Sequence, residues 1–163
     1  MLSWKILATF TLVFGLVFAA PSAQAQSAQP DDIVGTWNSE SLKLEFFKVG
    51  AEYQARILWG DRIVESDGTT FKKDALNPDP SLRSRSLQGI VMVKGLTFQN
   101  GEWSGGTAYD ASSGRTVNCK AEIAEGKLHM RGYVGVSLLG QTVVFQRATK
   151  PSSDVAKPSA AKR

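Results

Sequence analysis

Cysteine and histidine are nearly absent from this sequence of 163 residues, which contains one of each, Cys119 and His129. A single cysteine excludes an internal disulfide. The sequence also lacks a Ser-His-Asp set, a Cys-His pairing, a P-loop and a His-rich metal motif. From these absences we expect no catalytic residues, no metal site and no cofactor.

The longest uncharged apolar run stands at the N-terminus, after Lys5. It covers residues 6–20, fewer than the ~20 apolar residues that a membrane-spanning helix needs. The segment Ala23-Gln24-Ala25 has the small-x-small form of a secretory cleavage site. We therefore predict a cleaved signal peptide over residues 1–25, a linker over 26–32, and a periplasmic or secreted product. An uncleaved anchor is the alternative.

Residues 148–163 are rich in Ala, Ser, Pro and Lys, a composition that cannot bury enough apolar surface to offset the entropy of ordering. We predict a disordered tail, which carries four basic side chains against Asp154. Without this tail and Lys5, the chain has fourteen basic and fourteen acidic side chains. A neutral domain in an exported protein argues against a nucleic-acid partner, although the tail could contact an anionic envelope surface.

Apolar stripes with helical spacing are missing from the middle of the chain. Apolar and polar residues instead alternate in short segments between turn residues, a pattern typical of antiparallel strands. Asn100-Gly101 and Glu125-Gly126 are two-residue hairpin signals. The pattern predicts an all-β domain over residues 33–147, with strands at about 33–38, 41–48, 52–59, 90–99, 102–109, 115–124, 127–134 and 141–147.

The hairpin at Asn100-Gly101 predicts an interior face. With these residues as the turn, Phe98 opposes Trp103, and one apolar face contains Ile90, Met92, Leu96, Phe98, Trp103 and Tyr109. Lys94 interrupts this face, and a β-bulge at Gly95 would turn the lysine outward.

The hairpin at Glu125-Gly126 separates the two rare residues. Cys119 would oppose Gly132 inside the domain, and His129 would oppose Glu122 outside it. Because Cys119 and His129 then lie on opposite faces of the sheet, they cannot bind one zinc ion together. We interpret Cys119 as a small core residue.

Eight short antiparallel strands in sequence suit an up-and-down barrel, in which closure removes exposed strand edges. Gly35-Thr36-Trp37 opens the first strand and Phe145-Gln146-Arg147 closes the last. In a closed barrel these strands are neighbours, and Arg147 could cover the Trp37 indole by cation–π contact. This closing pair resembles that of lipocalin-like barrels. A two-sheet sandwich is the alternative.

Three motifs stand in order along the domain: "DALNPDPSLRSRSLQGIVMVKGL", "GGTAYDASSGRT" and "LHMRGYVGVSLLGQTVVFQR". Together they resemble the bacterial family known as domain of unknown function 2147, over about residues 33–147. The resemblance implies an exported, lipocalin-like β-barrel and no established reaction. The positions that match the family are Gly35, Trp37, Asp74, Asn77, Pro78, Arg83, Arg85, Leu87, Gly89, Tyr109, Gly114, Arg131, Gly132, Tyr133, Gly140 and Arg147.

The sequence departs from the family pattern at two places. Ser86 stands where relatives often have proline, and Ala55-Arg56 replace a Cys-Gly pair that many relatives carry. The loss of that cysteine weakens any thiol-based function for this chain.

The connection over residues 60–88 is the one long irregular segment, and loops of this length are usually lids, binding loops or disordered. Asp79-Pro80 has the form of an N-cap followed by the first helical residue. It predicts a short helical turn over about residues 80–86. Leu82 and Leu87 would then plug the barrel.

The same loop holds the candidate ligand or lid cluster, which consists of Asp74, Asn77, Asp79, Arg83 and Arg85. Arg83 and Arg85 could present guanidinium groups to an anionic ligand at the barrel mouth. They could instead pair with Asp74 and Asp79 and lock the loop, without any ligand. A metal site at Asp74, Asn77 and Asp79 is disfavoured because prolines restrict the backbone there.

The leading functional hypothesis is an exported barrel that binds a small apolar or amphipathic molecule, with its mouth gated by residues 60–88. The alternative is a barrel filled by its own side chains, acting as a structural or protein-interaction module of the envelope. An enzyme of unknown reaction is the third hypothesis, which the absence of catalytic motifs disfavours.

Overall fold

Each segment of alternating apolar and polar residues forms a strand in the computed structural model, which describes residues 28–148. The eight strands are antiparallel and follow each other in sequence order around a closed barrel. They are β1 Gly35–Asn38, β2 Leu42–Val49, β3 Glu52–Gly60, β4 Val91–Gln99, β5 Glu102–Asp110, β6 Arg115–Ala124, β7 Lys127–Tyr133 and β8 Gln141–Arg147. The predicted up-and-down barrel is therefore confirmed, and the sandwich is excluded. The predictions for residues 1–27 and 149–163 lie outside the described residues.

Three short 3-10 helices accompany the strands, at Pro30–Ile33, Pro80–Leu82 and Ser137–Leu139. The first begins at a proline and takes in Ile33, which the alternation assigned to β1. Indole groups hold it in place: Trp37 Nε1 donates to Ile33 O at 2.7 Å and Trp103 Nε1 donates to Pro30 O at 3.0 Å. This turn covers one end of the barrel, called the closed end below. Among the described residues, no helix is long and apolar enough to cross a membrane.

The interior of the barrel is densely packed near the closed end. Aromatic and aliphatic side chains from most strands meet there, each at most 1% exposed: Trp37, Leu44, Phe46, Leu96, Trp103, Leu128 and Phe145. Since aromatic side chains bury large apolar areas, they supply much of the hydrophobic stabilisation of this fold.

The turn at Asn100-Gly101 sets the predicted register between β4 and β5. Phe98 opposes Trp103, and Lys94 is exposed opposite Thr107. Gly95 has a φ of +72° beside a shift in the register of β4 against β3, as expected for a bulge that turns Lys94 outward.

The predicted interior position of Tyr109 is wrong. Val93 and Ala108 oppose each other and are buried at this level of the barrel. The register of β5 shifts against β6 between Trp103 and Gly106, where Gly105 has a φ of +77°, so Gly106 and Ala108 enter the core together with Trp103. Tyr109, next to Ala108, consequently turns toward the long loop.

The register between β6 and β7 agrees with the sequence prediction. Cys119 opposes Gly132 and is fully buried, whereas His129 opposes Glu122 on the other face. Burial raises the pKa of the Cys119 thiol to about 12, so this cysteine stays protonated and unreactive at neutral pH.

Candidate functional site

The long loop is joined to the barrel by a fully buried carboxylate, that of Asp74. Its Oδ1 accepts a hydrogen bond from the Tyr109 hydroxyl at 2.6 Å. Its Oδ2 accepts a hydrogen bond from Asn77 Nδ2 at 2.7 Å. The same oxygen accepts two hydrogen bonds from Arg85, from Nε at 2.9 Å and from Nη2 at 2.7 Å. These four residues, here called the Asp74 cluster, connect the first two sequence motifs in space.

The charge state of the Asp74 cluster follows from these contacts. Burial disfavours the Asp74 carboxylate, but hydrogen bonds from Tyr109, Asn77 and Arg85 outweigh that penalty and keep its pKa below the ordinary value. Burial and the bond to Asp74 raise the pKa of Tyr109 to about 12. At neutral pH the cluster therefore contains a charged carboxylate and a protonated phenol.

We expect Tyr109→Phe to lower the free energy of unfolding by about 2 kcal/mol at pH 7, because Asp74 loses a charge-assisted hydrogen bond. The folded pKa of Tyr109, about 12, lies above the unfolded value of about 10. The advantage of wild type is therefore complete below about pH 10 and is lost as the pH rises through 12.

Urea unfolding of both proteins at pH 7, 10 and 12 measures this difference. Tyr133→Phe is the control, because the Tyr133 hydroxyl makes no hydrogen bond within residues 28–148. A stability difference between wild type and Tyr109→Phe that stays constant over this range would contradict the assignment.

The two other members of the predicted cluster lie at the surface. Asp79 caps the 3-10 helix, where its Oδ1 accepts Ser81 N at 2.9 Å, and hydrogen bonds from Ser81 hold its pKa below the ordinary value. Arg83 is exposed and its Nε donates to Asn77 O at 2.8 Å. The structure thus brings Asp74, Asn77 and Arg85 together, with Arg83 bonded at the edge and Asp79 outside.

The residues predicted to close the barrel meet at the closed end. Trp37 and Arg147 are register partners, and the guanidinium carbon of Arg147 lies 4.2 Å from the centroid of the Trp37 ring. Arg147 Nη1 also donates to Val34 O at 3.0 Å, and Nη2 donates to Asp32 O. These bonds tie the chain before β1 to the end of β8.

A cavity of about 350 Å³ lies at the opposite end, where the loops after β1, β3, β5 and β7 meet. We call it the mouth cavity. Its wall is mainly apolar and includes Leu42, Ile57, Ile63, Leu87, Met130 and Val143. Its rim carries the charged residues Asp61, Arg62 and Asp110.

The predicted plug is half correct. Leu87 is 3% exposed and lines the mouth cavity, whereas Leu82 is only half-buried and lies against the outside of the barrel. The helical turn ends at Leu82 rather than near residue 86. Within residues 28–148, no three His, Cys, Asp or Glu side chains gather where they could hold a metal ion.

Residues 35–147 match the model of a family described as "Uncharacterized protein conserved in bacteria (DUF2147)". The chain belongs to this family. The resemblance seen in the three motifs is thereby confirmed, and no curated protein matches the sequence.

A solved structure supports the lipocalin-like barrel fold. Protein HP1028 from the human pathogen Helicobacter pylori, described as belonging to the lipocalin family, superposes with a TM-score of 0.61. The two are 28% identical, over 72% of this chain and 83% of that one. A lipocalin-like barrel is a ligand-binding type of fold.

Sequence reasoning missed Tyr109 and the wall of the mouth cavity. The signal for Tyr109 was its place in the second DUF2147 motif, beside the turn of residues 110–114. Gly114 in that turn has a φ of +69°, and a Cβ there would lie 2.0 Å from Leu76 O. The turn and the loop therefore pack backbone against backbone next to Asp74.

Proposed function

We propose that this protein is an exported lipocalin-like barrel that binds one small apolar or amphipathic molecule in the mouth cavity. The observation that carries the proposal is the cavity itself, about 350 Å³ with a mainly apolar wall. Ligand pockets of proteins usually measure about 300–1,000 Å³ and combine such walls with a few polar groups. Export rests on the predicted signal peptide of residues 1–25 and cleavage after Ala25.

The packing of the barrel limits the size of the ligand. Phe46, Trp103 and Phe145 are at most 1% exposed and fill the space below the cavity. A ligand therefore occupies only the upper part of the barrel. Its polar group, if it has one, lies at the rim beside Asp61, Arg62 and Asp110.

The loop over residues 60–88 supplies both a movable part and an anchor in this proposal. Ile63 and Leu87 line the mouth cavity, so displacing them would widen it. The intervening residues 74–85 are fastened outside the barrel by the Asp74 cluster. We assign the gate to residues 60–63 and 87–88.

Val143→Trp tests the proposal, because Val143 lines the cavity opposite Met130 on the neighbouring strand. An indole there would occupy the space of the ligand. We expect the affinity for N-phenyl-1-naphthylamine, an uncharged apolar dye, to fall at least ~10-fold, which corresponds to about 1.4 kcal/mol of lost contact. Dye fluorescence titrations on the protein without its signal peptide provide the measurement.

Val144→Trp is the matched control. Val144 follows Val143 in β8 and faces the other side of the sheet. The two side chains are similarly exposed, Val143 at 38% and Val144 at 43%. The control should keep the affinity of wild type. Saturable binding that both variants retain would contradict the proposed site, and an absence of saturable binding to wild type would favour the filled barrel as an envelope interaction module.

A further inference from the structure

A second concave site lies on the outer surface of the barrel, between the long loop and strands β4, β5 and β6. It is a groove of about 320 Å³, here called the outer groove. Its floor contains Val91, Met92 and Leu82, and its polar lining includes Arg85, Lys94 and Tyr109. The lining has two cationic side chains and no acidic one. This distinguishes it from the rim of the mouth cavity, where Asp61, Arg62 and Asp110 mix both signs.

Arg85 is held in place for binding in the outer groove. Its Nε and Nη2 donate to the buried Asp74 carboxylate, which fixes the plane of the guanidinium. Its Nη1 makes no hydrogen bond within residues 28–148, and the side chain is 38% exposed. Because an arginine presents donors on two edges of one plane, the second edge remains available to an anion.

Lys94 supplies the second charge. The bulge at Gly95 turns its side chain out of the barrel, and no ion pair engages it within the described chain. Thr107 and Thr116 belong to the same lining. Asp79, a second acidic residue that interacts electrostatically with Arg85 besides Asp74, lies outside the lining and already accepts hydrogen bonds from Ser81.

We infer that the outer groove binds a small organic anion, whose carboxylate or phosphate contacts Arg85 and Lys94 and whose apolar body lies on Val91 and Met92. Charge-assisted hydrogen bonds to arginine and lysine suit either group. Met92 and Tyr109 line both the outer groove and the mouth cavity, but Arg85 and Lys94 line the outer groove alone, so the inference does not rest on the proposed function.

Benzoate, phenyl phosphate and inorganic phosphate are the probes, titrated into the protein at low ionic strength to limit screening. Amide chemical shifts of Thr107 and Thr116 are the readout. We expect saturable shifts with the two aromatic anions, and the tighter of them identifies the acidic group as carboxylate or phosphate. Inorganic phosphate should bind more weakly, because it cannot cover the apolar floor. Equal binding of inorganic phosphate would overturn the role of Val91 and Met92.

Lys94→Gln is the decisive variant, because it removes one charge and leaves the Asp74 cluster intact. We expect it to weaken binding of the tighter aromatic anion at least ~5-fold, as loss of a charge-assisted contact implies. Lys43→Gln, at an exposed lysine of β2 that does not line the groove, should change the affinity less than ~2-fold, since its charge is screened.

Equal losses from both lysine variants, or no saturable shift in wild type, would overturn the inference. Val143→Trp, which blocks the mouth cavity, should leave anion binding unchanged. Lys94→Gln should leave binding of the uncharged dye unchanged. The experiments can therefore contradict the proposal for one site and leave the proposal for the other standing.

Discussion

Asp74→Asn is expected to lower the free energy of unfolding by about 3 kcal/mol, the scale for breaking a buried, hydrogen-bonded ion pair. The carboxylate is fully buried and accepts from Tyr109, Asn77 and Arg85. An amide of the same shape cannot accept at both positions, so at least one donor faces an NH₂ group. Urea unfolding at pH 7, followed by tryptophan fluorescence, measures the loss.

The pH dependence gives this prediction a second readout. The folded pKa of Asp74 is depressed, so its stabilising effect is present above the unfolded value of about 3.9 and is lost as the pH falls through the folded value. Asp74→Asn should therefore differ most from wild type at neutral pH and least in acid.

Asp79→Asn is the matched control for Asp74→Asn. It makes the same chemical change in the same loop, at an exposed N-cap where asparagine also accepts the capping hydrogen bond. We expect little change in stability. If the two variants were equally stable, the Asp74 cluster would not be the anchor of the loop.

Gly114→Ala is expected to destabilise the fold by about 3 kcal/mol, because two costs add. A residue with a Cβ pays about 1–2 kcal/mol to adopt left-handed backbone, and Gly114 has a φ of +69°. The new Cβ would also lie 2.0 Å from Leu76 O, a backbone atom that cannot move without displacing the loop beside Asp74. The midpoint of urea unfolding reports the change.

Gly126→Ala separates these two costs. Gly126 has a φ of +72°, almost that of Gly114, but a Cβ at this position would meet no atom of residues 28–148 within 4 Å apart from its chain neighbours. We expect Gly126→Ala to lower the free energy of unfolding by about 1 kcal/mol, the cost of left-handed backbone alone. Similar losses from both variants would show that close packing at Leu76 is not what makes Gly114 necessary.

Hairpin chemistry explains why so much of the fold could be predicted. Asn100 and Glu125 both have positive φ, as tight turns between antiparallel strands require. Each turn sets the register of its two strands, so Phe98 with Trp103 and Cys119 with Gly132 follow from local sequence. The closed order of strands then follows from their number and shortness.

The site was less predictable, and Tyr109 shows the reason. Gly95 signalled a bulge in β4, but the alternation took no account of a second bulge, in β5 at Gly105, where the register against β6 shifts between Trp103 and Gly106. A one-residue slip moves side chains to the opposite face of a sheet. Alternation alone therefore placed Tyr109 in the core, whereas it binds Asp74 outside.

The number of strands, their antiparallel order and the two hairpin registers are encoded locally, because they depend on residues close together in the chain. Folding in three dimensions was needed to bring Asp74 to Tyr109, to place Arg85 and Lys94 in one groove, and to leave a cavity at the mouth. These features depend on bulges and on the space left between elements far apart in sequence. No local periodicity encodes that space.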